Sequence, residues 1–183
     1  MDNIISAFFT EVSQMNQHQV GVAAEALAAS LFAWCDFDVS VQYGANQPEY
    51  DLVVVQGDKM LKVSVKGSQD GAWGLTQNYK KDKTYHEAAD LWLAKHNDMT
   101  VLCLVQFKDV DLTKGQLPRT YLATPAEVVQ RLKDSRNGLG ETILKENHIW
   151  KSGQAAGAQD KIPDEWKFSR TRVEELLKRI NKK

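Results

Sequence analysis

The sequence predicts an α/β fold, in which a mixed central sheet is flanked by helices and followed by a C-terminal elaboration. Three observations carry this prediction. Residues 17–34 repeat apolar side chains every three or four positions, which is typical of a helix that packs with one face. Residues 50–68 (YDLVVVQGDKMLKVSVKGS) place two apolar runs around a Gly-Asp pair, which predicts a β-hairpin. Residues 100–107 (TVLCLVQF) form one apolar run, which indicates a strand covered on both faces.

The predicted hairpin brings polar side chains together. A two-residue loop pairs Gln56 with Lys59, and counting back along both strands sets Asp51 opposite Ser64. Strand side chains alternate between faces, so Lys66 shares a face with Ser64 and lies in the same cross-strand neighbourhood as Asp51. A carboxylate and an ammonium near a strand end could position a divalent metal and a water, or they could form only an ion pair.

The remaining elements are predicted from periodicity and capping residues. Helices are expected over residues 3–15 and 17–34, with Val20, Ala24, Leu27, Leu31 and Trp34 buried in the second. Strands are expected over residues 39–43 and 119–123, and a strand-like piece lies within residues 142–150. Three further helices are expected to start after Thr84, Thr124 and Ser169, the first with Ala88, Leu91 and Trp92 inward. We expect a single domain over residues 1–183, with a core of about 16–133 and the elaboration at about 134–183.

Composition narrows the function classes. The chain of 183 residues has a net charge of −1, which lacks the basic excess of most nucleic-acid-binding domains. Residues 1–58 contain eight acids and no Lys or Arg, so their charge is −8 and the remainder carries +7. No apolar stretch is long enough to span a bilayer and no secretory signal is evident, so we expect no membrane partner and a cytoplasmic location. Cys35 and Cys103 lie in apolar surroundings and are expected to pack as small hydrophobic residues.

Two further stretches are candidates for function. Gly21 and Glu25 are four residues apart on the helix at 17–34 and share a flank beside its buried stripe. Glycine destabilises a helix by about 1 kcal/mol relative to alanine, which suggests close contact of Gly21 with another backbone or a ligand. Residues 67–83 interleave amides and lysines with aromatic rings. They are either an ordinary surface loop or a nucleic-acid contact, with these candidate residues: Trp73, Gln77, Lys80 and Lys81.

The order of these pieces resembles the PD-(D/E)XK nuclease superfamily, in its intron-associated homing endonuclease and Holliday junction resolvase-like branch. The similar features are Gly-x-x-x-Glu on a helix (Gly21 and Glu25), Tyr-Asp-Leu-Val at residues 50–53, and a strand ending in Val-Lys at Lys66. The resemblance covers about residues 16–107 and implies a restriction-endonuclease-like core. It departs from the family at Ser64, where the family has an acid or glutamine.

The resemblance implies a Mg²⁺- or Mn²⁺-dependent endonuclease that hydrolyses DNA. Asp51, Glu25 and the backbone carbonyl of Val65 would hold the metal, Lys66 would orient the attacking water, and Ser64 would complete the catalytic set. Gly21 would join the nucleic-acid contacts, and cutting of both strands would require two active sites, hence a homodimer. Two alternatives stay open. One is a nuclease-fold protein without cleavage activity that binds nucleic acid or a protein; the other is an unrelated α/β domain whose hairpin carries only an ion pair.

Overall fold

A computed structural model describes residues 14–42, 49–97, 99–111 and 114–181. Within them the chain forms four α-helices: α1 (Gln17–Trp34), α2 (Tyr85–Leu93), α3 (Pro125–Asp134) and α4 (Arg170–Ile180). α2, α3 and α4 begin directly after the predicted capping residues Thr84, Thr124 and Ser169, and α1 begins after Asn16, a cap that was not predicted. Thr84 and Thr124 form capping boxes with Glu87 and Glu127. The helix predicted at residues 3–15 lies almost entirely outside the described residues.

The central sheet has five strands in the order β1-β2-β3-β5-β6. They are β1 (Asp38–Val41), β2 (Leu52–Gln56), β3 (Lys59–Ser68), β5 (Thr100–Gln106) and β6 (Arg119–Ala123). β3 and β5 are parallel and connected through α2, whereas the other neighbours are antiparallel. The sheet is therefore mixed, as predicted. Gln56 pairs with Lys59 across the Gly57-Asp58 turn, which confirms the predicted hairpin register.

Two small sheets lie beside the central one. β4 (Ala72–Gly74) pairs with β7 (Ile143–Lys145), and β8 (Asn147–Ile149) pairs with β9 (Gln159–Lys161). The strand-like piece predicted within residues 142–150 is thus two short strands, β7 and β8. They belong to different sheets because the chain changes partner at Glu146.

Helices cover both faces of the central sheet. Alternate residues of β3 point to opposite faces: Leu61, Val63 and Val65 enter the core beneath α1 and α4, whereas Ser64 pairs with Leu102, whose side chain lies in the core beneath α2 and α3. α4 contributes Val173, Leu176 and Leu177 to the same core as α1, so the end of the chain is part of the main packing.

The predicted buried faces of two helices were partly wrong. The buried stripe of α1 is Val20, Ala24, Ala28 and Phe32, and Trp34 is 80% exposed. In α2, Ala89 is buried in place of Leu91. In α1 both stripes satisfy helical periodicity, and the sheet selects the one with Ala28 in place of Leu27 because alanine allows closer approach. Cys103 is fully buried, and that burial raises the pKa of its thiol, as expected for a packing residue.

Candidate active site

β3 extends beyond the end of its partner strand, and this creates the site. β2 covers β3 only from Lys59 to Val63, so residues 64–68 of β3 project past it. Asp51 stands immediately before β2. Its backbone N–H donates to the Val63 carbonyl at 2.8 Å, and its side-chain Oδ2 accepts the Val65 N–H at 2.6 Å. The carboxylate of Asp51 therefore occupies the place that the next backbone acceptor of β2 would take.

The Val65 carbonyl faces the same gap. In a strand the N–H and C=O of one residue point to the same side, so this carbonyl is directed towards Asp51 beyond the start of β2. Ser64 and Lys66, on either side of Val65, point their side chains to the face opposite α1. Ser64 is only 4% exposed, whereas Lys66 is exposed. The predicted register holds from Gln56 opposite Lys59 to Leu52 opposite Val63, where the pairing ends, and the placement of Asp51 opposite Ser64 stays a prediction.

Glu25 reaches the same region from α1. Burial raises the pKa of its carboxyl, the charge of Asp51 raises it further, and the charge of Lys66 lowers it. These three side chains are therefore close enough to interact electrostatically, although they are distant along the chain. Glu25, whose ionisation the charge of Asp51 disfavours, lies near that carboxylate and one lysine, and together these groups could hold a divalent cation.

Gly67 is the glycine that the close approach of α1 requires. A Cβ at Gly67 would lie 2.8 Å from both the Cγ1 and the backbone oxygen of Val20 and 3.0 Å from Ala24 Cβ. The backbone contact expected of Gly21 is not found among the described residues, because a Cβ there would have none of their atoms within 4 Å; contact with a ligand stays a prediction. Sequence reasoning missed Gly67, although a glycine inside a strand is itself a sign of close backbone approach.

We expect Gly67→Ala to lower the free energy of unfolding by about 2 kcal/mol, because the added methyl group overlaps backbone that cannot move away independently. Gly21→Ala is the matched control. It should raise the free energy of unfolding by up to about 1 kcal/mol, since it adds no contact and removes the glycine penalty. Urea denaturation of both variants measures the two effects. Equal stability of Gly67→Ala and wild type would show that α1 is not held at this distance.

Of the four nucleic-acid contacts predicted within residues 67–83, one is buried, one is half-buried and two are exposed. Trp73 is 3% exposed, and its Nε1 donates to the Lys66 carbonyl at 2.9 Å, so both ring faces are covered and the stacking role expected for it does not fit. Its ring instead packs against Tyr121 and fixes the strand that carries Lys66. Gln77 and Lys81 are exposed, and Lys80 is half-buried with its ammonium over the Tyr85 ring.

Lys66 lines a cavity of about 420 Å³ together with Gln17, Gly67 and Trp73. Among the described residues no group of three or more His, Cys, Asp or Glu side chains is placed to hold a metal ion. Searching the same part of the chain, we find no helix with the length and apolar character needed to cross a membrane.

Comparison with known proteins finds no matching family model, no matching curated protein and no matching solved structure.

Proposed function

We propose that this protein is a metal-dependent endonuclease with a restriction-endonuclease-like core that hydrolyses DNA phosphodiester bonds. The observation that carries the proposal is that the charges of Asp51 and Lys66, at the projecting end of β3, both act on the carboxyl group of Glu25. A simple ion pair would need one carboxylate. The second carboxylate raises the cost of ionisation in the absence of a cation, so an arrangement that serves only the fold has no use for it.

The donor atoms fit a hard cation such as Mg²⁺ or Mn²⁺. Asp51 has one oxygen engaged by the Val65 N–H, and Glu25, the second Asp51 oxygen and the Val65 carbonyl supply the oxygen donors that such cations prefer. A bound cation of this kind would act as a Lewis acid and lower the pKa of its water. Lys66 is exposed beside this group, where its ammonium can orient a water and offset charge on a phosphate.

The direct test is incubation of the purified protein with supercoiled, branched and single-stranded DNA, with Mn²⁺ and with EDTA. Nicking or cutting of any substrate that requires the metal supports the proposal. Gel shifts without cleavage of any substrate support the second candidate, a protein of the same fold that binds nucleic acid or a protein partner without cutting. The buried Ser64 favours that candidate, because its hydroxyl is a neutral oxygen on a shorter side chain than the acid or glutamine of the resembled family.

Glu25 predicts a pH-dependent trade-off between stability and metal binding. Because burial and Asp51 raise the pKa of Glu25, the folded state binds its proton more tightly than the unfolded state does. Stability should therefore fall as the pH rises through the pKa of the folded protein, and Glu25→Gln should remove this loss. We expect a higher Tm for Glu25→Gln than for wild type at about pH 8 without metal, and equal values below the pKa of Glu25.

Added Mn²⁺ provides the second half of this experiment. The cation should raise the Tm of the wild type, because it binds only the folded state, and should have little effect on Glu25→Gln. The same Mn²⁺-induced increase in Tm in both proteins would show that Glu25 is not a metal ligand. A Tm difference between them that is independent of pH would show that the carboxyl group does not carry the expected penalty.

A further inference from the structure

Arg136 is an arginine that pairs with no carboxylate among the described residues. The chain has six arginines, all within the described residues, and five of them pair with carboxylates. The guanidinium of Arg136 instead lies over two aromatic rings, with its Cζ 5.6 Å from the Tyr85 centroid and 5.1 Å from the Trp150 centroid. Its Nε is buried and has no hydrogen-bond partner in the part of the chain that the structure describes. Such a group is rare in folded proteins and requires an explanation.

The surroundings hold Arg136 in place without neutralising it. Its backbone N–H donates to Asp160 Oδ1 at 3.2 Å, and Trp150 Nε1 donates to the other oxygen of Asp160 at 2.7 Å. Asp160 is 3% exposed and its charge is paired with Arg131 at 2.8 Å. One buried carboxylate therefore fixes both the backbone of Arg136 and the ring on which its guanidinium lies, while its charge is matched by a different arginine.

The backbone of this segment is also unfavourable by itself. Arg136 and the following Asn137 have φ values of 59° and 57°, which for residues other than glycine cost about 1 kcal/mol or more each. Packing alone does not require an unpaired cation at such a position, because an apolar side chain could cover the two rings without a buried unsatisfied nitrogen. The arrangement is suited to a guanidinium that must present its NH₂ groups to something outside the chain.

Two neighbouring cavities lead from Lys66 towards Trp150, one of the two rings that the guanidinium of Arg136 contacts. The cavity that Lys66 lines shares Asp70 and Ala72 with a second cavity of about 550 Å³. The second cavity includes His148, whose ring packs edge-on against Trp150 at 4.6 Å. Its wall also includes Lys108 and Lys145, two lysines that form no ion pair among the described residues.

We propose that Arg136 binds a backbone phosphate of a DNA strand that extends from the Lys66 site along these two cavities. This inference rests on the proposed function, because the strand is the one held at the active site. The planar guanidinium can donate two parallel hydrogen bonds to one phosphate, and the Tyr85 and Trp150 rings hold it ready to do so. A phosphate contact positions the strand and carries no sequence information.

The test measures DNA binding by fluorescence anisotropy, with a labelled duplex of about 20 base pairs and a labelled single strand. Ca²⁺ replaces Mn²⁺, and a denaturing gel checks that the probes stay intact. Arg136→Gln should weaken binding about tenfold and reduce the slope of log Kd against log salt by about one. Arg136→Lys should keep the slope and lose about threefold in affinity, because it keeps the charge and loses the planar donors.

Lys178→Gln is the control for loss of charge. Lys178 is exposed on α4, across the sheet from Arg136, and its variant should bind within about twofold of the wild type. If the wild type binds DNA and Arg136→Gln binds it with the same affinity and the same salt slope, this inference is overturned and the proposed function stands. A wild-type protein that binds neither probe would overturn both. Thermal melts check that Arg136→Gln is folded, and Arg136→Lys carries the test if it is not.

Discussion

Replacing Asp51 by asparagine is expected to remove Mn²⁺ binding and to lower the rate of Mn²⁺-dependent nicking of supercoiled DNA at least about 100-fold. The amide oxygen of asparagine can still accept the Val65 N–H, which Asp51 Oδ2 accepts at 2.6 Å. The end of the β2 to β3 ladder should therefore be kept, while the negative charge that attracts a cation is lost. Calorimetric titration with Mn²⁺ and a nicking assay measure the two effects separately.

Lys66→Ala is the matched variant, because it should separate metal binding from chemistry. Lys66 is exposed, so its truncation leaves the core unchanged. We expect the heat of Mn²⁺ binding to persist in Lys66→Ala and nicking to be lost, since the lysine acts on the water and the phosphate and is not a metal ligand. Equal heats of Mn²⁺ binding in wild type and Asp51→Asn would contradict a metal site at Asp51. Undiminished nicking by Lys66→Ala would remove the role given to the lysine.

Local patterns in the sequence were sufficient for much of this site. The hairpin register, from Gln56 opposite Lys59 to Leu52 opposite Val63, follows from one two-residue turn and the alternation of side chains, and both act over a few residues. The bounds of α1 at Gln17 and Trp34 match the prediction because its periodicity is strong and Asn16 caps its first turn. The unbroken apolar run of β5 likewise predicted a strand that is buried throughout.

The features that were missed depend on contacts between distant segments. The choice between Leu27 and Ala28 as the buried position of α1 depends on how closely the helix approaches Gly67, and helical periodicity allows both. Trp73 lies in a segment whose composition is typical of an exposed loop with a stacking residue, but the pairing of β4 with β7 buries it. Arg136 was missed because its two rings come from positions 85 and 150, and no local pattern connects them.

The largest effect on stability is expected at Arg172. Its side chain is 5% exposed and connects α4 to the start of α3 and the end of β6. One terminal nitrogen donates to both Glu127 oxygens at 2.9 Å, and two of its nitrogens donate to the Leu122 carbonyl at 3.3 Å. Arg172→Met keeps much of the volume and leaves Glu127 and the Leu122 carbonyl without these donors. We expect the free energy of unfolding to fall by about 3 kcal/mol.

Arg170→Met tests whether burial is the reason. Arg170 lies on the same helix and pairs with Glu174 at 3.0 Å, but its side chain is 52% exposed. An exposed pair of this kind contributes less than about 1 kcal/mol, because water solvates both charges well when they are apart. Urea denaturation of both variants at neutral pH compares them directly. Similar losses of stability in the two variants would show that the burial of Arg172 does not matter.

The pH dependence of the Arg172 effect identifies its partner. Burial alone would raise the pKa of Glu127, but hydrogen bonds from Arg172 and Thr124 hold it below the ordinary value. A carboxyl group with a lowered pKa contributes stability above its unfolded pKa of about 4, and the contribution is lost as the pH falls through the folded value. The difference between wild type and Arg172→Met should therefore be largest near neutral pH and shrink in acid.

A double variant separates two effects of Arg172→Met: the loss of the ion pair with Glu127, and the charge that is left on Glu127. Arg172→Met leaves the charge of Glu127 with Arg179, at 3.0 Å, as its remaining ion-pair partner among the described residues. Glu127→Gln in the same protein removes that charge, so the double variant should be less destabilised than the sum of the two single variants. Additive losses would mean that Arg172 stabilises the fold through the Leu122 carbonyl and its packing, and that the ion pair with Glu127 contributes little.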